Sequence, residues 1–430
     1  MSHETARAGG HRSEGARKVK RPPDGSFAVT TLRDDSPLAY HLVWLTCLLL
    51  LVAGLCMVLS VSVARGVGGG DKYGLLQPQA IAAVIGLVLM IVLSRIDYRS
   101  VRRVSVGFLV FVVVLLLLVH VPGLSMSEGG ASSWLKLGPI SVQPSEFAKL
   151  ALVLLGAHLL STARVRPATF KLFMVPFGLV GLGMCLLVTA EGDLGTALII
   201  AGLMIGMLWV AGMKGRHVAL LAGLGTAAAL GLICSSAERM SRIFAFLNPS
   251  ADPQDSGYQL SQSLVALGRG GWFGVGPGES IQKFQYLPKA HTDMIFSILG
   301  EEFGLVGTFA VLVIFVVFAV ACWKLARRCA EPMGKYLIAG CGMLVTLQAI
   351  VNIGGVIGAM PLTGVPLPFI SYGRSSLVAM LMAVGLILAV AKRAPVRPRP
   401  PAAVRYGVNV TDIDSRRWNG GARGARSGAR

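Results

Sequence analysis

His291, Thr292 and Asp293 stand where a polar, cationic stretch ends and an apolar span begins, and Glu301 and Glu302 follow inside that span. The stretch reads KFQYLPKAHTDMIFSILGEEFG from Lys283 to Gly304, and apolar sequence continues past Val320. On a helix the two glutamates lie roughly 12 Å further along the axis, at ~1.5 Å per residue. A carboxylate within an apolar span is costly against lipid and faces a protein interior or a wet cavity instead. A single carboxylate at such a rim can act as general base on a hydroxyl, while cations or a metal stabilise a departing phosphate. Asp or Thr before a helix is also an ordinary N-cap, so both roles stand open for Asp293.

Three other polar groups sit at the ends of apolar runs. The first, GASSWLKLGPISVQPSEFAK from Gly130 to Lys149, contains Trp134. Pro144 and Ser145 are helix-start residues, Glu146 lies in a first turn, and Lys149 follows at i+3 on the same face. The second is EGDLGT, where Asp193 can cap the next helix. The third, PLTGVPLPFISYGR from Pro361 to Arg374, contains Ser371. Its prolines and glycines bar a regular helix, so non-helical backbone there lines a cavity. The paired carboxylates of a glycoside hydrolase are absent from the loop before His291 in any obvious pattern. Neither GxxxxGK[ST] nor GxGxxG is present to hold a nucleotide. The donor in such a reaction would therefore be activated already, with a lipid diphosphate as the expected leaving group.

The elements that position these groups follow from composition. Of 430 residues, 54% are hydrophobic and 14% charged, with mean hydropathy +0.67; soluble domains carry about 25% charged residues. The fold class is an all-α polytopic membrane protein. Ten apolar runs, at about 40–64, 78–96, 104–122, 145–163, 171–190, 194–212, 217–235, 294–323, 336–360 and 374–391, each suit a ~30 Å crossing. With the N-terminus inside, the cytoplasmic loops hold Arg99, Arg102 and Arg103, then Arg164, Arg166 and Lys171, then Lys214 and Arg216, then Lys324, Arg327, Arg328 and Lys335. The outer loops are poor in cations, so both termini are cytoplasmic by the positive-inside rule. That distribution also accounts for the net charge of +19 without nucleic acid as a partner.

One large extracytoplasmic loop, 236–293, separates spans seven and eight. It contains the cations Arg239, Arg242, Arg269, Lys283 and Lys289 against the carboxylates Glu238, Asp252, Asp255 and Glu279. Long loops cross regardless of charge, and a surface for an anionic substrate is the second reading. Residues 1–38 and 394–430, basic and without core-forming periodicity, are expected to be disordered cytoplasmic tails around a membrane domain at 39–393. The first apolar run lacks a small-residue cleavage site and reads as an uncleaved span. Cys47, Cys56, Cys185, Cys234, Cys322, Cys329 and Cys341 form no CxxC pair, which excludes a zinc site or disulfide framework of that pattern.

At these residues the chain resembles the SEDS family (shape, elongation, division and sporulation), which contains FtsW, RodA and SpoVE. The resemblance lies in WLKLGPISVQPSEFAKLAL, DLGTALII, RIFAFLNPSADPQDSGYQLSQSLVALGRGGWFGVG, QKFQYLPKAHTDMIFSILGEEFG and PLTGVPLPFISYGRSS. It implies a peptidoglycan glycosyltransferase of the bacterial cytoplasmic membrane that polymerises lipid II into glycan strands at the outer face. Asp293 matches the proposed catalytic Asp of the family's HTD motif. It would deprotonate the acceptor hydroxyl, and undecaprenyl diphosphate would leave. Glu146, Lys149, Arg242, Gln259 and Lys283 carry substrate-side roles by the same resemblance, alongside His291, Thr292, Trp134, Asp193 and Ser371. The resemblance also implies an assisting divalent cation (Mg or Mn) whose ligands stay unknown. Its implied partners are a monofunctional penicillin-binding protein as transpeptidase and other divisome proteins.

The chain departs from the family pattern in three places: EGDLGT for QPDLGT, YLPKAHTD for YLPEAHTD, and ISYGRSS for ISYGGSS. Glu191, Lys289 and Arg374 are thus its own. The Ala290-His-Thr-Asp form and the SYGxSS ending resemble the division and sporulation branch more than the elongation branch, hence an expected role in septal wall synthesis. Two rival readings are a lipid II flippase, with Glu146, Lys149, Glu301 and Glu302 lining a path, and a non-catalytic divisome scaffold in which Asp293 only caps.

Overall fold

The computed structural model describes residues 37–67, 71–128, 131–138, 140–165, 170–249, 256–284 and 286–395. The expectations for the tails fall outside these residues, apart from Pro37, Leu38, Ala394 and Pro395, and so do Asp252 and Asp255.

Every apolar run forms a helix. In chain order these are α1 (Pro37–Val67), α2 (Leu76–Arg95), α3 (Val101–Val119), α4 (Pro144–Val165), α5 (Phe170–Ala190), α6 (Leu194–Ala211) and α7 (Gly215–Cys234). After the large loop come α10 (Ile295–Arg328), α11 (Pro332–Val356) and α12 (Arg374–Arg393). Continuous apolar sequence folds this way because a helix satisfies its own backbone where lipid offers no partner. Among the described residues, nine helices are long and apolar enough to cross a membrane, and α5 adds the shorter Val175–Ala190.

The core sits around α12, the most deeply buried helix, which packs on α2, α4 and α11. Helix α10 packs on α1 and α11. Helix α7 is the opposite case, leaving Leu220, Leu224 and Leu230 exposed, as suits a helix that meets lipid more than protein.

Three features depart from the expected pattern. The all-α expectation omits a three-stranded antiparallel sheet of β1 (Ser125–Glu128), β2 (Ala131–Leu137) and β3 (Ile140–Val142). Trp134 lies opposite Met126, and Lys136 opposite Ser141. The sheet lifts the chain into α4 with Gln143 at the junction. The large loop is also partly helical, with α8 (Ala237–Leu247) and α9 (Ser256–Gly270).

The third departure is in α10, which is not one continuous span. It breaks at Gly304 (φ 67°, ψ −164°), where the chain at 271–276 docks by backbone pairing. Val275 and Gly276 donate to the carbonyls of Glu301 and Glu302, while Leu305 and Val306 donate to those of Gly271 and Trp272. A Cβ on Gly304 would stand 2.4 Å from the Gly274 nitrogen. Only glycine lets the two backbones meet.

Candidate active site

The His-Thr-Asp segment forms a tight turn ahead of α10. Lys289 adopts a left-handed conformation (φ 54°), and its carbonyl accepts from the amides of Thr292 (3.0 Å) and Met294 (3.4 Å) and from Thr292 Oγ1 (3.2 Å). Met294 flanks the helix, so Asp293 stands one residue outside it, half-buried. The turn is stitched to the non-helical segment 361–373. Tyr372 donates its amide to the His291 carbonyl (2.9 Å). Asn352 Nδ2 donates to the carbonyls of both Asp293 and Val365, each at 2.8 Å. Asp293 Oδ2 lies 3.7 Å from where a Cβ would stand on Gly364.

Electrostatics at this turn are cationic. Arg65, near the end of α1, brings its guanidinium 3.1 Å from His291 Nδ1, so that nitrogen accepts and the ring is neutral. Burial first, then the charges of Arg65 and Lys289, push the imidazole down to about 4. Positive charge at this turn therefore comes from Arg65 and Lys289, not from the histidine. Arg65 is absent from the sequence candidates; its signal was a lone cation at the outer end of a span.

A second polar centre lies at the start of α4. Lys149 Nζ donates to Glu146 Oε1 (2.8 Å) and to Gln348 Oε1 (2.6 Å), all three side chains being buried. Gln348 in turn donates to the Pro366 carbonyl (3.0 Å) and Ser376 Oγ (3.1 Å). Glu146 Oε2 and Ser145 Oγ are buried without a partner among the described residues. Gln143 reaches Asp193 Oδ2 (3.4 Å), and Asp193 caps α6 by accepting from the Thr196 amide (2.8 Å). Burial, opposed by the Thr196 hydrogen bonds and Lys149, raises the Asp193 carboxyl. Burial, then the Asp193 charge, pushes the Glu191 carboxyl up to about 8. Arg374 donates to Ser141 Oγ (2.6 Å), tying α12 to β3. Ser371 is buried, its Oγ accepting from the Leu367 amide (2.8 Å) and its carbonyl from Gln79 Nε2 (3.1 Å).

Segment 361–373 thus joins both centres, touching the His-Thr-Asp turn through Tyr372 and the α4 centre through Pro366. The other sequence candidates lie elsewhere. Lys283 is buried, its ammonium taken by Glu302 (2.8 Å), Ser60 (2.9 Å) and the Gly278 carbonyl (2.6 Å). Glu301 accepts from Ser280 and from the amides of Ile281 (3.1 Å) and Gln282 (3.3 Å). Both glutamates therefore pin the loop to α10. Gln259 on α9 reaches the Pro288 carbonyl at 3.4 Å. Arg242 is half-buried on α8, and Trp134 half-buried on β2.

Among the described residues, no three His, Cys, Asp or Glu side chains come together as a metal cage. The donor set does not by itself fit a divalent cation.

Comparison with known proteins agrees with this architecture. The family model for FtsW, RodA and SpoVE cell cycle proteins matches residues 40–395. Stage V sporulation protein E of Bacillus subtilis (strain 168) is 39% identical over 346 residues, 80% of this chain and 94% of that one. The probable peptidoglycan glycosyltransferase FtsW of Mycobacterium tuberculosis is 38% identical over 371 residues, 86% and 70%. Among solved structures, a chain from work on the structural coordination of polymerization and crosslinking by a peptidoglycan synthase complex superposes with TM-score 0.65. It shares 29% identity and covers 80% of this chain and 96% of that one. Thermus thermophilus rod shape determining protein RodA gives TM-score 0.59 at 26% identity, covering 81% and 95%. The chain therefore belongs to the FtsW, RodA and SpoVE family and is a multi-pass protein of the bacterial cytoplasmic membrane.

Proposed function

We propose that this chain, a peptidoglycan glycosyltransferase, polymerises lipid II at the outer face of the cytoplasmic membrane with Asp293 as proton acceptor. The observation that carries this reading is the joining of Asp293, Arg65, the α4 centre and segment 361–373 at one end of the helices. Arg393, which donates to the Ser94 and Ile96 carbonyls (3.0 and 3.1 Å), and the Arg99–Glu331 pair (3.2 Å) mark the other end. The positive-inside rule assigns that basic end to the cytoplasm, with ten spans and the large loop outside.

Asp293 accepts the proton of the acceptor sugar hydroxyl as its oxygen bonds to the donor's anomeric carbon. The bond from that carbon to the diphosphate oxygen breaks, and its electron pair leaves with undecaprenyl diphosphate. Arg65 and Lys289 supply the fixed positive charge that this developing anion needs. The buried Glu146–Lys149 pair and Gln348 hold the neighbouring wall. A divalent cation, if one is bound with the substrate, would add positive charge at the departing diphosphate. The role is septal, with a monofunctional penicillin-binding protein as transpeptidase and other divisome proteins around it. By analogy, the relatives' names support the glycosyltransferase activity and the synthase-complex structure supports a crosslinking partner.

The test is reconstitution of the chain with its transpeptidase, scoring polymer from lipid II. Wild type should make polymer and Asp293→Ala none. Transfer of labelled lipid II across liposomes without polymer would favour a flippase, and polymer from Asp293→Ala would favour a capping role.

A further inference from the structure

Helix α11 carries two amide side chains one turn apart, Gln348 and Asn352, both buried in an otherwise apolar run. Spacing of four residues puts them on one face. They address consecutive carbonyls of the non-helical segment, Gln348 that of Pro366 and Asn352 that of Val365. Asn352 alone spends its second N–H on the carbonyl of Asp293, at 2.8 Å. One buried NH₂ group therefore joins the Asp293 backbone to the segment that faces its carboxylate. Its Oδ1 has no partner among the described residues, so the donors alone fix the amide's orientation. A flipped amide would turn its oxygen toward two carbonyl oxygens.

We propose that Asn352 is a positioning residue for the transfer reaction. It holds Asp293 in register with segment 361–373, so that the carboxylate meets the acceptor hydroxyl in line with the donor. This rests on the reading of Asp293 as proton acceptor. Tyr372 makes the parallel tie to His291 through its own amide, which no side-chain substitution removes. Asn352 is thus the side chain through which the register can be altered by mutation. Misplacement of a reacting group by about 1 Å can cost on the order of a hundredfold in rate.

The experiment compares Asn352→Ala, Asn352→Leu and Asn352→Ser with wild type in the reconstituted complex, measuring kcat and KM for lipid II and the pH profile of kcat. Alanine and leucine variants are expected to lose about ten- to a hundredfold in kcat with KM nearly unchanged. The acid limb of the profile should shift, because the base has moved. Serine, which keeps one donor, should fall between them and wild type. Leucine fills the volume that alanine empties, so a packing defect confined to alanine would overturn the proposal. So would a wild-type kcat per folded molecule, a loss carried by KM alone, or an unmoved acid limb. Asp293→Ala is run beside them. Polymer from that variant overturns the role of Asp293 itself, whereas an inactive Asp293→Ala with an unaffected Asn352→Leu overturns only the positioning role.

Discussion

Arg65 and His291 meet at 3.1 Å across 226 residues of sequence, guanidinium to Nδ1. Burial first, and then that contact, leave the imidazole neutral two residues before Asp293 and keep the cation on the arginine. With a folded value of about 4 against an ordinary 6.5, the native state binds fewer protons between those pH values than the unfolded chain. Stability is therefore complete above about 6.5 and is lost as pH falls toward 4. Arg65→Ala should raise the His291 value while leaving it below 6.5, because burial remains the larger cause. Titration of the His291 ring by NMR in detergent checks this. A value unchanged in the variant would remove Arg65 from the site's electrostatics.

Glu191 runs the other way. Its carboxyl is raised from 4.5 to about 8, so between those values the native state holds a proton that the unfolded chain has released. That costs stability as pH rises through the window. Glu191→Gln removes the titration and should stabilise the protein on the order of 3 kcal/mol at pH 8, and little at pH 4.5. Thermal melts of both proteins at the two pH values decide it, and an equal gain at both would contradict it.

The Glu146–Lys149 pair is buried on both sides, at 1% and 0% exposure. Removing one partner leaves an uncompensated buried charge, so Lys149→Met should cost about 3–5 kcal/mol. Adding Glu146→Gln should recover a large part of that. Denaturation of the single and double variants measures it, and equal losses in both would mean the charge is not what matters.

Gly195 on α6 lies against segment 361–373, where an added Cβ would stand 2.3 Å from the Thr363 carbonyl oxygen. Gly195→Ala should push the segment outward, costing about 1–3 kcal/mol and reducing polymerisation at least tenfold. Gly223 on α7 has open space around its Cβ position, and Gly223→Ala should be neutral or stabilising by about 1 kcal/mol. Melting temperature and polymer yield for the pair test this, and a silent Gly195→Ala would contradict it.

Much of this was legible in the sequence, for reasons that also mark where legibility ends. Unbroken apolar runs dictate helices in lipid, so each run became a helix, and the Glu146–Lys149 spacing foretold their bond. The break in α10 was hidden because Gly304 reads like any small residue in an apolar run; its reason is the loop at 271–276, far away in sequence. Strand β2, seven residues from Ala131 to Leu137, was masked because the adjacent Trp134 and Leu135 break the period-two alternation that marks a half-buried strand. Lys283, Glu301 and Glu302 were visible as charges near the membrane, but their partners, Ser60 among them, come from other elements. Asn352 was invisible for the same reason: one amide in an apolar helix does not say which carbonyls it meets.

Asp293→Asn is the most direct measurement of the central claim, because the amide keeps the shape of the carboxyl one residue ahead of the Met294 boundary of α10 but cannot take a proton. The account predicts that the reconstituted Asp293→Asn complex folds with the melting temperature of wild type and makes no glycan polymer from lipid II. Polymer formation at a rate near that of wild type would contradict it and leave Asp293 a purely structural residue of the turn.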